Sequence, residues 1–293
     1  MLHWLVEAAE QLQAFSRYFR CDIHVRELQL DELSTVLREV HSGKRSDDEA
    51  IQHLERSPSW VWTAMDPASK WLLVIDVGTR TLAMAQRMVH HVVQRWAPHG
   101  VPLFVTEGLQ AYGTAFLTHC GQWMQPARRQ GQGPLPQPRW MPVPQWLYAQ
   151  VVKSYRRRRL VGSKYWVVFG TMARVKQIRA ACGWQSNTAF VERLHLDMRQ
   201  RVAAVGRRVN TRCQGEDGLR HQRTVYHADD NFGLPHTRLR QPLLVPEPTH
   251  GSGSVQVWRP CTPAMAAGLT DHVWTLREVL RYRVPPWPQP QTV

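Results

Sequence analysis

One short, continuous apolar run, Val101–Thr106 (VPLFVT), constrains the fold more than any other part of the sequence. Apolar runs of this length without polar alternation are typical of strands that are buried on both faces, as in parallel sheets. Such a strand needs helices above and below it. Helical periodicity on either side, over Thr81–Trp96 and from about Leu109 to Thr118, supplies them. The sequence therefore predicts an α/β fold.

Three strand candidates precede this unit. They are Ile23–Leu30, which alternates apolar and polar residues and ends in Asp31-Glu32, and the apolar runs Trp60–Ala64 and Trp71–Val77. The polar residues 41–50 between the first two are expected to form an exposed excursion within a hairpin. This order predicts a mixed sheet of three antiparallel strands followed by parallel strands, with helices flanking it.

The middle of the chain reads as a basic insertion. Residues 124–145 are rich in Pro, Gln and Gly, which is typical of a loop or extended connector. A helix from Trp146 to about Arg158, a strand at Tyr165–Phe169 and a helix at Thr171–Cys182 are predicted to follow. We interpret residues at about 127–184 as an insertion before the next helix.

That next helix, Asn187–Val205, carries an acidic residue within a basic stretch. Asn187 or Thr188 can cap its N-terminus, and Glu192 falls about one turn inside, where the helix dipole favours a carboxylate. A capping glutamate on a surface helix is one interpretation, and a ligand for a metal ion beside a phosphate backbone is the other. The predicted apolar face comprises Val191, Leu194, Leu196, Met198, Val202 and Val205.

The positive charge is concentrated in one third of the chain. The net charge of the 293 residues is +14, but Gly121–Arg223 alone holds 20 Lys and Arg against 4 Asp and Glu, a surplus of +16, whereas the rest holds 17 against 19. A basic surface of this kind is expected to meet a polyanion. Nucleic acid is the leading partner, and an anionic membrane is the weaker one.

Cysteine and apolar patterns bear on the compartment. The five cysteines show no C-x-x-C pair, so reduced thiols in a cytoplasmic protein are expected rather than disulfides or a zinc site. No apolar run reaches the length of a membrane span, and the N-terminus does not read as a signal peptide. The histidines show no metal-binding spacing and are interpreted as structural or surface residues.

Three acids occupy corresponding places on these elements. Asp31 ends the first strand, Glu107 follows the buried strand and Glu192 lies on the later helix. The first and fourth strands are neighbours in such a sheet, so Asp31 and Glu107 can converge. Carboxylates that two divalent cations share are the ligands these hard ions require. The element order and the three acids together suggest a ribonuclease-H-like arrangement.

Several motifs occur in the order found in one known family. They are LQLDEL around Asp31, WVW at Trp60–Trp62, DVGTRT at Asp76–Thr81, FVTEGLQAY at Phe104–Tyr112, NTAFVERLHLDMRQ at Asn187–Gln200, NF-x-x-PH-x-x-L at Asn231–Leu239 and TPAMAAGLTDHVW at Thr262–Trp274. The sequence resembles the DDE-class transposases of bacterial insertion sequences, in the group related to insertion sequence one. The resemblance runs from about Ile23 to Leu239.

The resemblance implies DNA transposition by metal-dependent strand cleavage and strand transfer. Asp31, Glu107 and Glu192 would be the catalytic residues and the ligands of two Mg²⁺ or Mn²⁺ ions. The family carries Asp within T-D-G at the second position, whereas this chain has Glu107 within T-E-G. The extra methylene displaces the carboxylate by roughly 1.5 Å. A misplacement of about 1 Å can cost on the order of a hundredfold in rate, so impaired activity is expected.

Arginines would bind DNA phosphates without reading bases. The candidates are Arg156, Arg157, Arg158, Arg159, Arg193, Arg199, Arg207 and Arg208. Trp140, Trp146 and Tyr155 could stack on an unpaired end, although core packing is the stronger interpretation for them. The implied partners are transposon ends, target DNA and further copies of the chain, in the bacterial cytoplasm near the nucleoid.

The resemblance also implies a domain organisation. Residues 1–22 would be a helical remnant, 23–245 the catalytic domain with its insertion, and 246–293 a Pro/Gly-rich tail with one short helix, at Pro263–Val279. Asp31 follows only 30 residues, so the DNA-binding module that usually precedes the catalytic domain is expected to be missing. Two alternatives therefore stay open: an inactive DNA-binding remnant, and a ribonuclease-H-like nuclease that cuts without joining.

Overall fold

A six-stranded mixed sheet with helices against its faces organises the chain. The computed structural model describes residues 2–19, 23–35, 59–96, 100–128, 134–157, 159–182, 189–202, 205, 216–248 and 254–285. The expected polar excursion at 41–50, the caps Asn187 and Thr188, and the last eight residues lie outside this part. None of the helices within it combines the length and apolar character needed to cross a membrane.

The first half of the described chain alternates strands and helices. Its elements are α1 (Leu2–Phe19), β1 (Glu27–Thr35), β2 (Ser59–Met65), β3 (Leu72–Gly78), α2 (Leu82–Val93), β4 (Leu103–Thr106), α3 (Ala111–Cys120) and the short strand β5 (Gly121–Met124).

The second half begins with a long hairpin and ends in helices. Its elements are β6 (Arg139–Pro142), β7 (Leu147–Arg156), β8 (Arg159–Phe169), α4 (Met172–Cys182), α5 (Ala189–Arg201), α6 (Glu216–Ala228), a π-helix (Asp229–Gly233), β9 (Gln241–Glu247), β10 (Gln256–Arg259), α7 (Pro263–Ala266) and α8 (Leu276–Arg281).

The strand order of the large sheet is β3-β2-β1-β4-β7-β8. The first three strands pair antiparallel, β4 is parallel to both β1 and β7, and the edge strand β8 returns antiparallel to β7. All four residues of β4 are buried, as the apolar run predicts. The predicted α/β fold with a mixed sheet is confirmed. The strand predicted at Tyr165–Phe169 is the second half of the edge strand β8, whose antiparallel pairing with β7 was not predicted.

Successive side chains on each strand point to opposite faces, so each face has its own core. On one face, Trp62 and Phe104 pack with Met88 of α2 and Phe116 of α3. On the other, Val61 and Val77 pack with residues of α5 and α6, among them Met198 and Tyr226. A third cluster places Val175 of α4 over β4 and β7. Helices α4, α5 and α6 therefore cover the face opposite α2 and α3.

The two ends of the chain pack on each other. Leu12 and Phe15 of α1 are fully buried, as their spacing predicts. The Phe15 ring lies 4.9 Å from that of Phe232, 5.1 Å from that of Trp274 and 5.3 Å from that of Tyr282. Residues assigned to an N-terminal remnant and to a C-terminal tail thus share one aromatic cluster.

The predicted helix at Trp146–Arg158 is wrong. These residues form β7, because Leu147–Gln150 pair with all four residues of β4 and most of β7 pairs with β8. Long-range pairing and the β-branched Val151 and Val152 override local helix propensity. The region expected as an insertion, 127–184, therefore contributes two strands to the main sheet.

Three smaller corrections concern boundaries and faces. β1 continues to Thr35, so Asp31 lies inside the strand and not after its end. Leu196 was placed on the apolar face of its helix but is 54% exposed. The single helix predicted at Pro263–Val279 is two short helices, because Gly268 takes a left-handed φ of 75° and Thr275 starts a new helix with a capping box.

Candidate carboxylate site

Asp31 lies on the inner part of the sheet and faces helix α5. It pairs with Thr63 in the register of β1 and β2, and both side chains point to the α5 side. The carboxylate is mostly buried, with 13% of the side chain exposed, and its Oδ1 accepts a hydrogen bond of 2.9 Å from the backbone N–H of Glu32. Burial thus removes the Asp31 carboxylate from water, and strand β1 contains no arginine or lysine that could balance its charge.

Glu107 approaches Asp31 from the neighbouring strand. Leu30 pairs with Thr106 where β1 and β4 run parallel, so the next residue on each side brings Asp31 beside Glu107. Burial, and then the nearby charge of Glu107, raise the pKa of Asp31 to about 8. The predicted convergence of these two acids is thus visible both in the strand register and in the electrostatics.

Glu192 and Glu107 share one cation, Lys153 of β7. The ammonium group of Lys153 donates a hydrogen bond to a carboxylate oxygen of each glutamate. Its side chain is 12% exposed, whereas those of Glu107 and Glu192 are 34% and 49% exposed. Burial opposes the charge of Lys153, but the two hydrogen-bonded carboxylates outweigh it and raise the pKa of Lys153.

His195 supports Asp31 from the same helix that carries Glu192. Its Nδ1 lies 3.4 Å from Asp31 Oδ2, and its Nε2 lies 2.9 Å from the Thr63 hydroxyl. Burial and the charge of Arg199 lower the pKa of His195 to about 4, so the ring is neutral near pH 7. A neutral imidazole can donate a hydrogen bond to a carboxylate or accept one from a carboxylic acid. His195 therefore lies where it can contact Asp31 in both protonation states of the acid.

Three other acids near the first strands serve the fold. Glu32 lies in β1 on the opposite face and pairs with Arg80 at 3.1 Å, so it is not part of this cluster. Asp66 accepts hydrogen bonds from the backbone N–H groups of Ala68 and Ser69, which is the expected turn chemistry. Asp76 is buried among arginines away from the cluster.

The donor chemistry of this group is of the kind that divalent cations prefer. Its members are carboxylate oxygens, the ligands that Mg²⁺ and Mn²⁺ prefer. Burial and then the charge of Glu107 raise the pKa of Asp31, and an ammonium already lies between the other two acids. As arranged here, however, the described chain contains no set of three His, Cys, Asp or Glu side chains placed to hold an ion. The ammonium group of Lys153 lies between Glu107 and Glu192.

Exposed arginines lie close to this group along the chain. β7 ends three residues after Lys153, and Arg156, Arg157 and Arg159 are exposed at the tip of the hairpin it forms with β8. Arg157 takes a left-handed φ of 49° in the turn. On α5, Arg193 is exposed and Arg199 is half-buried. Arg158, Arg207 and Arg208 lie outside the described residues.

The aromatic residues considered for stacking fall into different environments. Trp146 is buried and stacks on Phe104 with ring centroids 5.3 Å apart, so it belongs to the core. Trp140 is 46% exposed on β6 and meets Trp123 edge to face. The side chain of Tyr155 lies outside the part of the structure that is described.

The predicted reduced cysteines agree with the structure where it is described. Cys120, Cys182 and Cys261 are free thiols. Burial raises the pKa of Cys120 to about 12, so this thiol is uncharged at neutral pH.

Two residues of the site were not predicted from the sequence, Lys153 and His195. Lys153 was hidden by the incorrect helix over β7, although the apolar Val151 two residues before it indicates an inward-facing position in a strand. His195 lies three residues after Glu192, a spacing that places both on the same side of a helix. That spacing was the available signal.

Comparisons with known proteins give no further guidance. No family model, no curated protein and no solved structure matches the chain.

Proposed function

We propose that this chain is a DNA transposase of the DDE class, which cleaves and joins DNA strands with divalent cations held by Asp31, Glu107 and Glu192. The observation that carries the proposal is that Glu107, at the end of β4, and Glu192, on α5, share the ammonium group of Lys153, while the charge of Glu107 also acts on the buried Asp31 of β1. Acids from three distant parts of a chain rarely gather for stability alone, since like charges repel and burial penalises them.

The topology supports a ribonuclease-H-like identity for the domain. Three antiparallel strands, with β1 then parallel to β4 and β4 parallel to β7, follow the order expected for that fold. The first acid on β1, the second after β4 and the third on a later helix occupy corresponding places.

Each residue of the cluster has a distinct task in this proposal. Asp31, Glu107 and Glu192 would hold Mg²⁺ or Mn²⁺. Bound ions would lower the pKa of the attacking hydroxyl and offset the charge on the leaving oxygen. His195 keeps the Asp31 carboxylate oriented through Nδ1. Lys153 offsets one of the two negative charges of Glu107 and Glu192.

DNA is the proposed partner, bound through its phosphates. Arg156, Arg157 and Arg159 at the hairpin tip and Arg193 on α5 are exposed and lie on the elements that carry Lys153 and Glu192. Cations placed in this way bind a backbone without reading its bases. Assembly of several copies on paired DNA ends, in the bacterial cytoplasm, completes the proposal.

The decisive experiment is a nicking and joining assay with supercoiled DNA and Mg²⁺ or Mn²⁺. Nicking is expected from the native chain and is expected to fall by about a hundredfold or more in Asp31→Asn and Glu192→Gln, as for lost metal ligands. Glu247→Gln, an exposed glutamate on β9, serves as the control. Cutting that never leads to joining would identify a nuclease instead. Equal activity in all variants would refute the site.

A second candidate, an inactive DNA-binding remnant, is favoured by one specific observation. Lys153 already occupies the position between Glu107 and Glu192 and offsets one of their two charges, and Glu107 stands where a shorter acid is expected. The remnant predicts salt-dependent DNA binding without nicking by the native chain, and activity only after Glu107→Asp. The enzyme predicts measurable nicking before that change and an increase after it.

A further inference from the structure

Asp76 lies on the edge strand β3 and is surrounded by three arginines. Arg87 Nε of α2 lies 2.9 Å from its Oδ2, while Nη1 atoms of Arg220 and Arg223, both on α6, lie 3.1 Å and 3.3 Å from its Oδ1. The carboxylate also accepts the backbone N–H of Val77 at 2.8 Å. One acid thus joins two helices to the strand, and two positive charges remain in excess.

A cavity of about 300 Å³ opens beside this acid, and more arginines line it. This volume is at the lower end of the range for pockets that bind small ligands. The charged residues in its wall are Asp76, Arg17, Arg87, Arg95, Arg220 and Arg223. Glu216 pairs with Arg220 and so offsets one of the two excess charges of Arg87, Arg220 and Arg223. One positive charge of these three arginines remains in excess, and Arg17 and Arg95 add guanidinium groups to the same wall.

The pKa values of two side chains in the cavity wall reflect this excess of positive charge. Burial lowers the pKa of Arg223 to about 10, and the charges of Arg220, Arg87 and Arg95 add to this effect against Asp76. Burial and then Arg95 lower the pKa of His91, also in the wall, to about 4. Within the described residues, the buried Nε of Arg223 has no hydrogen-bond partner. Uncompensated positive charge at a partly buried place is costly unless an anion joins it.

The cavity is separate from the carboxylate site. Asp76 pairs across β2 with Trp62, which in turn pairs with Glu32, and these side chains lie on the α2 side of the sheet. Asp31 is in register with Thr63 and Ile75, whose side chains lie on the opposite face. The proposed function of the carboxylates therefore leaves these arginines unexplained.

We propose that the arginine-lined cavity beside Asp76 is a binding site for a phosphate group. Guanidinium groups present parallel N–H donors that match phosphate oxygens in pairs, which favours phosphate over a spherical anion such as chloride. Arg87 and Arg220, with 43% and 31% of their side chains exposed, can be reached from solvent. A phosphate of the DNA backbone and a free phosphate compound share this chemistry. The site does not depend on the proposed transposase activity.

The first test is calorimetric titration of the full chain with inorganic phosphate at constant ionic strength, with chloride as the competing anion. Saturable binding is expected, and Arg87→Gln or Arg220→Gln should each weaken it about tenfold, the usual effect of losing one charged hydrogen-bond donor. Arg277→Gln, an exposed arginine on α8, is the matched control. No phosphate binding by the native chain, or equal loss in the control, would overturn the proposal.

A second variant separates binding from folding, because Arg87 and Arg220 also contact Asp76. Asp76→Asn removes the acid that competes for the arginines, so it should bind phosphate several-fold more tightly than the native chain. Tighter binding would show as a larger rise in melting temperature on adding phosphate. A smaller rise than in the native chain would contradict a phosphate site and leave Asp76 as a purely structural anchor.

A DNA arm identifies the source of the phosphate. Fluorescent duplex DNA is titrated with the native chain, Arg87→Gln and Arg277→Gln, with and without inorganic phosphate. Weaker DNA binding by Arg87→Gln alone, together with displacement of DNA by phosphate, assigns the cavity to backbone phosphates. Unchanged DNA binding with lost phosphate binding assigns it to a free phosphate compound. Both results support the phosphate site.

Discussion

Lys153 on strand β7 forms an ion pair with Glu192 on helix α5, 39 residues later in the chain. The same ammonium pairs with Glu107 after β4. The ammonium group of Lys153 therefore connects helix α5 to the sheet at the cluster of Asp31, Glu107 and Glu192. Any external cation must compete with it for the two glutamates, and this competition makes the site testable without an activity assay.

Replacing Lys153 by Met should make the protein depend on divalent ions for stability. Without its counter-ion, Glu107 and Glu192 repel each other, and we expect a loss of about 1–2 kcal/mol, since both glutamates are partly solvated. Mg²⁺ at millimolar concentration should restore this loss and raise the melting temperature more than in the native chain. Differential scanning fluorimetry with and without Mg²⁺ measures both effects.

Lys164→Met is the matched control, because Lys164 is an exposed lysine on the partner strand β8. It removes the same charge from the same hairpin and should show no added response to Mg²⁺. If Lys153→Met and Lys164→Met respond to Mg²⁺ equally, the glutamates do not form a cation site.

Asp31→Asn should stabilise the protein at high pH and have little effect at low pH. The pKa of Asp31 is raised from its ordinary value of 3.8 to about 8 by burial and by Glu107. Between these values the native state binds a proton that the unfolded chain has lost, so native stability falls as pH rises through this window. Asn avoids the buried charge. The gain at pH 9 should be on the order of a few kcal/mol, since one pKa unit corresponds to about 1.4 kcal/mol.

Urea denaturation at pH 4.5, 7 and 9 measures this gain. Asp217→Asn, which changes an exposed acid at the start of α6, should behave like the native chain at every pH. A gain from Asp31→Asn that is equal at all three pH values would disprove a titrating buried carboxylate. A loss at pH 9 would mean that Asp31 is stabilised in its charged form.

Arg179 and Glu27 form a buried ion pair on the same face of the sheet as Asp31. Replacing one partner should reduce the stability of the protein much more than replacing both. Arg179 Nη1 of α4 lies 3.3 Å from Glu27 Oε1 of β1, and the side chains are only 6% and 1% exposed. Burial raises the pKa of Glu27, and Arg179 opposes this rise. Arg179→Met removes this counter-charge and leaves Glu27 with the neutral hydrogen bond from Gln29, so it should cost about 3–5 kcal/mol in urea unfolding.

The double variant Arg179→Met with Glu27→Gln should recover most of that loss, because no unpaired charge remains. Lys176→Met, an exposed position on the same helix, controls for helix propensity and should be nearly neutral. Additive losses in the double variant would show that the two residues are not energetically coupled.

The sequence was sufficient to predict how two of the three acids meet. The buried run at β4 requires a neighbouring strand, and the order of elements makes β1 that neighbour, so Asp31 and Glu107 follow from strand pairing alone. The apolar spacing on α5 correctly predicted buried Val191, Leu194 and Met198. Local periodicity is informative where one face of an element is buried.

The remaining parts of the site depend on long-range pairing that local sequence does not encode. β7 was predicted as a helix from its local sequence. Its residues form a strand because they pair with the edge of β4 that faces away from β1. Lys153 could not be placed without that strand. The environment of Asp76 could not be predicted either, since the arginines that surround it lie about 10 and 145 residues away in the chain.

Removing the arginines at the hairpin tip should weaken DNA binding and flatten its salt dependence. In the variant Arg156→Gln, Arg157→Gln, Arg159→Gln three exposed cations beside the carboxylate cluster are lost. Each lost phosphate contact reduces the slope of log affinity against log salt by about 0.9, so a decrease of about 2–3 is expected. Fluorescence anisotropy with duplex DNA between 50 and 300 mM salt, on the order of the physiological range, measures the slope.

The control removes the same charge from the C-terminal segment, at the exposed residues Arg277, Arg281 and Arg283. A hairpin variant that keeps the native slope, or a control variant that loses as much, would exclude the hairpin tip from the DNA interface.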